Sequence, residues 1–279
     1  MIKPNILMIH RISSGRYRIE EHYYSRNLVV DKKNLFDVIT SLIDSGLEIG
    51  SISDALYDPN RFHLTFDDGY KEHLVIGKEL KEHFSFDTDQ CTFCINVGNS
   101  ILHSYSGMDM IYRISSDHGI ERIIQYFQKN DWKAKSDIQS IKEKFITLTP
   151  EEIHQLFINL PIDDSNMESL FLTKEEVKKL SYLFQIASHG ISHRDLRNHS
   201  DISKEEIAES KKILEDIIQS EISIMCYPEG KNDDDVQRMT ELSGYQYGLS
   251  INHQENNPYS IGRYCINRHL DEFMRGLNE

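Results

Sequence analysis

The chain has no surplus of positive charge, few cysteines and no long apolar run, and each absence narrows what it can be. Lys and Arg number 31 against 45 Asp and Glu, a formal charge of −14. That argues against nucleic acid as a partner, because gripping phosphates takes a basic surface. Four cysteines in 279 residues imply no disulfide framework. The apolar run at Ile6 to Ile9 is too short for a signal-peptide core or a membrane span, so a cytoplasmic protein with no transmembrane segment is expected. There is no internal repeat and no low-complexity tract. What remains is an ordinary soluble composition, 39% hydrophobic and 27% charged, long enough for one large domain or two small ones.

Strand and helix patterns alternate along most of the chain. Residues 6–9 form an apolar run of the buried-strand kind, ending on His10-Arg11. Leu35, Val38, Ile39, Leu42 and Ile43 recur at helical spacing before Gly46, a natural helix stop. A strand at 63–66 leads to a helix over 71–84 and a buried strand at 92–97. After a break at 101–175 the alternation resumes: a capped helix at 173–184, a strand at 185–188, a helix opened by Ser203-Lys204-Glu205-Glu206, and a strand at 222–227. A helix at 232–243 follows, with Val236, Met239 and Leu242 turned inward, and then short strands near 247–251 and 263–267. Such alternation predicts parallel pairing with helices outside. The 101–175 region reads as a helical insertion in a single domain spanning 1–279: one amphipathic helix near Ile120 to Phe127, another opened by Thr149-Pro150-Glu151-Glu152, and an acidic loop at 161–169. It could serve as a lid.

The polar residues at predicted strand ends carry the chemistry. His63-Leu64-Thr65-Phe66 runs into Asp67-Asp68-Gly69. Neighbouring strand side chains face opposite ways, so the two carboxylates can share a site only where the strand ends, and Gly69 lets the chain turn there. Asp-Asp-Gly is also common turn chemistry, and what separates the two readings is whether metal ligands occur elsewhere. They do: in Ser188-His189-Gly190-Ile191-Ser192-His193 two histidines four apart would share one face of a helical turn, which suits two imidazoles on one ion. Two histidines and one carboxylate leave positions open for water and substrate, as in a catalytic centre. Cys91-Thr92-Phe93-Cys94 has the spacing of a redox or zinc site, but it lies in an apolar strand where residues three apart face opposite ways. Two buried thiols are expected instead.

Thr65-Phe66-Asp67-Asp68-Gly69, His189-x-x-x-His193 and Cys226-Tyr227-Pro228-Glu229-Gly230, in that order, resemble the first three motifs of the polysaccharide deacetylases (carbohydrate esterase family 4, the NodB-homology domain). The strands at Ile6 to Ile12 and Thr92 to Ile95 are similar to that family's as well. The resemblance implies an α/β fold, a distorted (β/α) barrel of the polysaccharide deacetylase type with a helical insertion. It also implies a divalent metal, most often zinc, and hydrolysis of an N-acetyl group from an amino sugar. By position, Asp67 would be the general base and Asp68, His189 and His193 the metal ligands. A backbone N–H near Glu229, held by Pro228 and Gly230, would face the oxyanion, and Tyr227, Pro228 and Glu229 would line the substrate site.

The chain departs from the pattern in three places. Gly190 stands where many members have Ser or Thr. Cys226 stands where many have an arginine that orients the base, and Arg263 is the candidate to replace it, on charge alone. The late Leu-x-His motif that supplies a histidine acid is not evident; His10, His253 and His269 are candidates, with His10 best placed at a strand end. Glu229 occupies a position where an aromatic is common. The function expected is a metal-dependent deacetylase of an N-acetylated sugar (nucleotide-linked, lipid-linked or oligosaccharide) that feeds a surface polysaccharide. The alternatives are hydrolysis of a small non-sugar amide, or a sugar-binding protein of this fold without turnover.

Overall fold

The computed structural model describes residues 5–103, 107–129, 138–157 and 170–268. The chain begins with β1 (Ile6–Ile9) and β2 (Arg11–Ser13), then α1 (Glu21–Ser25), β3 (Val29–Asp31) and α2 (Lys32–Asp44). It continues through β4 (Glu48–Ile49), α3 (Ile52–Tyr57), β5 (Arg61–Phe66), α4 (Glu72–Phe84) and β6 (Cys91–Ile95). A π-helical turn at Gly98–Leu102 leads, among the described residues, to the helices α5 (Gly107–His118), α6 (Ile120–Lys129), α7 (Ile138–Phe145) and α8 (Pro150–Phe157). The alternation returns with α9 (Lys174–Ser181), β7 (Gln185–Ser188), α10 (Ser200–Ile218), β8 (Ile224–Cys226), α11 (Asp234–Leu242) and β9 (Tyr247–Ser250). It ends with β10 (Ile261–Gly262) and β11 (Tyr264–Cys265).

Eight strands pair in the order β10-β9-β8-β7-β6-β5-β1-β11, with β4 beside β5, and every pairing is parallel. The two ends of this path are neighbours in sequence, separated only by Arg263. One stretch of chain therefore pairs first with β9 and then with β1, and the sheet curls into a nearly closed barrel. β2 and β3 form a separate parallel pair.

Alternation along the strands sorts the side chains into two layers. Ile6, Cys94, Ala187, Ile224, Cys226, Leu249 and Ile261 gather in one cluster inside the barrel, with Ile52 and Ala55 of α3. Leu7, Ile9, Leu64, Phe66, Phe93, Ile186 and Met225 face the helices in a larger cluster, where Phe66 and Phe93 stack 4.5 Å apart. Each such side chain contributes about 1.5–3 kcal/mol by burial. Cys91 falls in the outer cluster and Cys94 in the inner, both buried free thiols. The inward positions of successive strands then run out at the carboxyl end of the barrel: His10 after β1, Asp67 after β5, His189 after β7, Cys226 at the end of β8.

The insertion has a core of its own, in which Ile111, Tyr112, Ile123, Phe127, Ile141 and Phe145 pack with Tyr23, Leu28 and Tyr70 from the barrel side. The 161–169 loop lies outside the described residues. Two expectations about helices change. α10 begins at Ser200, behind His199 with no side-chain cap, so Ser203 and Glu206 belong to its body. Leu242 is 71% exposed, because it lies in the last turn of α11, beyond the reach of the core that takes Val236.

Candidate metal centre and substrate pocket

β5 delivers Asp67 at an inward position, anchored by its N–H to the Ile9 carbonyl at 2.8 Å. The next residue would point outward. Instead Asp68 takes φ 78° and Gly69 φ 76°, and this left-handed step swings the second carboxylate over the same end of the barrel. A Cβ on Gly69 would lie 2.9 Å from Ser100 Oγ, so glycine is needed for space as well as for φ. Left-handed backbone in Asp68, His193 (φ 54°) and Glu229 (φ 56°) costs each residue about 1 kcal/mol, and such strain gathers at functional sites.

The two histidines meet Asp68, but not on a helical turn. His189 ends β7, and residues 189–193 form an irregular loop. Glu206 of α10, buried, holds it: one carboxylate oxygen accepts the N–H groups of Ile191 and Ser192, both at 2.8 Å, and the other accepts the Ser192 hydroxyl at 2.8 Å and Arg194 Nε at 3.1 Å. Gly190 has φ 71°, and a Cβ there would sit 3.0 Å from the Glu206 oxygen. That accounts for glycine where Ser or Thr is common. Glu206 and Arg194 escaped sequence reasoning because nothing local marks a helix carboxylate as the clamp of a loop.

Asp68 Oδ1 lies 3.2 Å from His189 Nε2 and 3.1 Å from His193 Nε2. His189 Nδ1 is 2.8 Å from the Cys226 carbonyl, which can only accept, so Nδ1 carries a hydrogen and Nε2, once deprotonated, turns its lone pair toward Asp68. Asp68 Oδ1 is buried without a hydrogen-bond partner among the described residues. Lone pairs facing one another require either a proton or a cation between them. Burial lowers the His193 pKa, but the Asp68 carboxylate 3.1 Å away more than offsets this and raises it. A tetrahedral ion with bonds of 2.0–2.2 Å keeps neighbouring ligand atoms about 3.3–3.6 Å apart, a few tenths of an ångström wider than the spacing here. The donor set fits a zinc-like divalent cation held by Asp68, His189 and His193.

Asp67 stands outside that triangle. Arg263, buried and set between β10 and β11, binds it with both arms, Nη1 to Oδ1 at 2.8 Å and Nη2 to Oδ2 at 2.9 Å, and Nη1 also donates to Thr65 Oγ1 at 2.9 Å. Burial would raise the Asp67 carboxyl, but Arg263 and His189 hold it below the usual carboxylate range. Cys226 Sγ lies 3.5 and 3.6 Å from the same oxygens. Asp67, Cys94 and Cys226 form a second cluster of potential ligands, but Arg263 already neutralises its carboxylate. His10 lines the pocket; burial lowers its pKa, and the nearby charges of Asp67 and Asp68 offset this only in part. His253 accepts the Gly262 N–H at 3.4 Å and does not line the pocket, while His269 lies outside the described residues.

Pro228–Gly230 make a single 3-10 turn beyond β8. Pro228 has no N–H, and those of Gly230 and Lys231 bond to Tyr227 O and Pro228 O. That leaves the Glu229 N–H as the turn's candidate oxyanion donor. Tyr227 is directed away, into the outer cluster, with its hydroxyl on Tyr259 O at 3.0 Å. It therefore supports the turn and does not line the pocket. The Glu229 carboxylate meets Lys142 of α7 at 2.5 Å and Arg26 at 3.8 Å. Burial would raise its pKa, yet Lys142, His193 and Arg26 bring it down to about 2.

The remaining wall was not foreseen. Tyr23 of α1 and Tyr70 donate to Asp109 of α5 at 2.5 and 3.2 Å. Arg11 stacks beneath both rings, 4.8 and 4.3 Å from their centres, and pairs with Glu72 at 2.6 Å.

A buried carboxylate–histidine centre beside an arginine-held carboxylate, at the carboxyl end of a parallel barrel, defines a hydrolase-type site. Residues 109–248, half of the chain, match the family model for polysaccharide deacetylase, and the chain belongs to the polysaccharide deacetylase family. That match includes His189, His193 and the Cys226–Gly230 motif but not the Asp67-Asp68 pair. YxkH of Bacillus subtilis (strain 168), a curated protein carrying the family's name, is 30% identical over 81 residues, which span 28% of this chain and 29% of that protein. Among solved structures, the Streptococcus pyogenes deacetylase PplD in complex with acetate superposes with a TM-score of 0.63 over 100% of this chain and 99% of that one, at 16% identity. IcaB from Ammonifex degensii gives 0.60 over 99% and 96% at 11% identity. The BpsB deacetylase domain from Bordetella bronchiseptica gives 0.54 over 94% and 95% at 12%. At these identities they establish the shared barrel. No described helix is long and apolar enough to cross a membrane.

Proposed function

We propose that the protein removes the N-acetyl group from an amino sugar of a surface polysaccharide or its precursor, with a divalent cation held by Asp68, His189 and His193. The observation that carries this reading is the meeting of Asp68 Oδ1 with two imidazole nitrogens at 3.1 and 3.2 Å, with Asp67 beside them held by Arg263. A cation there supplies Lewis acidity toward the acetyl oxygen and acidifies water.

The chain's own residues do the rest. Asp67 is ionised, and Arg263 fixes both of its oxygens, so it is placed to take a proton from the attacking water. Arg263 thereby serves as a positioning residue. His10, beside Asp67 where β1 and β5 run out together, relays a proton to the departing sugar nitrogen. The Glu229 N–H donates to the oxyanion as the carbonyl carbon becomes tetrahedral, and Glu229 borders the substrate, while Pro228, which like Tyr227 does not line the pocket, shapes the turn. The cavity above the floor is about 70 Å³, room for a small group. It admits an acetyl group, and the sugar ring lies at the mouth.

Acetate release from N-acetylhexosamine compounds tests this. Chelation should abolish release and a divalent metal restore it, and Asp67→Asn should lower kcat by about 10²–10⁴-fold with metal content unchanged. Turnover of a small amide with no acetamido sugar accepted would replace the substrate assignment. Tight glycan binding without hydrolysis of anything would replace the enzymatic one.

A further inference from the structure

Around Glu229 the pocket mouth holds more positive charge than it needs. Lys142 neutralises Glu229 at 2.5 Å. Arg26 donates from Nη1 to the Tyr112 hydroxyl at 2.5 Å, and its Nη2 stays 3.8 Å from Glu229 Oε1, well beyond the 2.7–2.9 Å of a charged hydrogen bond. Arg26 therefore keeps donors to spare. Arg268 is exposed, donates from Nη2 to the Arg26 carbonyl at 2.6 Å, and pairs with no carboxylate among the described residues. Both arginines line the same pocket as Asp68 and the two histidines. Lys142 thus takes up the Glu229 carboxylate, while Arg26 and Arg268 line the pocket with no carboxylate of the described residues in hydrogen-bond range, in a chain whose formal charge is −14.

Like charges held side by side repel, and an anion seated between them removes that repulsion. The guanidinium fork matches phosphate and carboxylate oxygens two at a time. With the acetyl group placed at the carboxylates of the pocket floor, whatever is bonded to the sugar ring extends toward this mouth.

We propose that the preferred substrate is an amino sugar carrying an oxyanion group next to the acetylated ring, and that Arg268 and Arg26 bind that group. The proposal rests on the deacetylase reading and refines its substrate. Phosphate and carboxylate share the required chemistry, and a positive mouth also steers such molecules inward at low salt.

The test compares acetate release by the metal-loaded protein from N-acetylglucosamine 1-phosphate, a hyaluronan tetrasaccharide and neutral tetra-N-acetylchitotetraose. The first carries phosphate and the second carboxylate, so together they separate the two sources. The wild type should favour at least one anionic compound over the neutral one by tenfold or more in kcat/KM, with the preference shrinking at 0.5 M salt. Arg268→Gln should cut the preference about tenfold, and Arg26→Lys, which keeps charge but loses the fork, should cut it as well. Arg122→Gln, an exposed arginine on α6, should leave it intact. Equal kcat/KM for all three compounds, or a preference unmoved by Arg268→Gln, overturns the proposal. If none releases acetate, the deacetylase reading fails separately, and binding of the same three compounds to zinc-loaded protein decides. Tighter anionic binding lost in Arg268→Gln supports the anion site; equal or absent binding overturns it.

Discussion

The floor of the pocket stands on strand ends, whereas its wall stands on α1, α5 and α7. The floor residues, His10, Asp67, His189, Cys226 and Arg263, occupy inward positions at or just beyond the strand ends of one parallel sheet, and the Asp67 and His189 N–H groups still bond to the Ile9 and Ile95 carbonyls of neighbouring strands. The wall residues, Arg26, Asp109, Tyr112 and Lys142, reach in from helices with a hydrophobic core of their own. They are held by ion pairs and hydroxyls: Lys142 to Glu229, Arg26 to Tyr112, the two tyrosines to Asp109. The difference separates the tasks. Chemistry that tolerates little displacement rests on the sheet, and selection among substrates rests on long side chains at the rim.

If that division is right, substitutions in the floor should cost far more than those in the wall. Arg263→Met removes the guanidinium paired with a buried carboxylate, and stability should fall by about 3–5 kcal/mol, read by denaturant unfolding; Arg263→Lys should recover part of the stability without the two-armed geometry. A deeper floor residue gives a pH signature. His63 is buried in β5, with Nδ1 on the Gly50 carbonyl at 2.8 Å and Nε2 2.9 Å from Thr92 Oγ1. Burial lowers its pKa to about 4, against 6.5 unfolded. Between those values the unfolded chain binds the extra proton, so stability rises with pH there. The His63 contribution is complete above pH 6.5 and is lost as pH falls toward 4, up to about 3 kcal/mol at about 1.4 kcal/mol per unit. His63→Gln should flatten that limb of the stability–pH curve.

Glu206→Gln lies between floor and wall. It weakens the clamp on the histidine loop without touching a ligand, and should lower metal affinity by about 10–100-fold, measured by competition with a chelating dye. Lys142→Met, in the wall, should have the smallest effect. KM should rise several-fold with kcat nearly constant, the signature of lost binding rather than lost transition-state contact. If Lys142→Met lowered kcat as much as Asp67→Asn, the division between floor and wall would be wrong.

The sequence was legible where a pattern repeats. The alternation of strands and helices marked the parallel architecture, because inward and outward positions differ in polarity at every second residue. The same alternation put Asp67 and His189 at strand ends. His189 and His193 were legible as a pair but not as a geometry: helical spacing was expected, while the structure brings them together through a left-handed residue and a clamp from Glu206. Arg263 was a guess from charge alone, since nothing near it in sequence says that the last two strands flank it and close the barrel over Asp67. Tyr227 read as a pocket residue and turns outward, because it follows Cys226 by one and so has the opposite parity.

What the sequence determined by itself is local: which residues alternate, where strands stop, which carboxylates and imidazoles sit at those stops. The tertiary structure alone decided which of them face one another. Asp68 joins the histidines because a backbone turn at φ 78° breaks the alternation. Arg263 meets Asp67 because curling the sheet brings residues 196 apart in sequence within 2.8 Å. The cationic rim exists because α1, the insertion and the segment that follows β11 bring Arg26, Lys142 and Arg268 to one mouth. Such contacts depend on closure of the sheet and on packing between distant segments, and no periodicity in the chain encodes them.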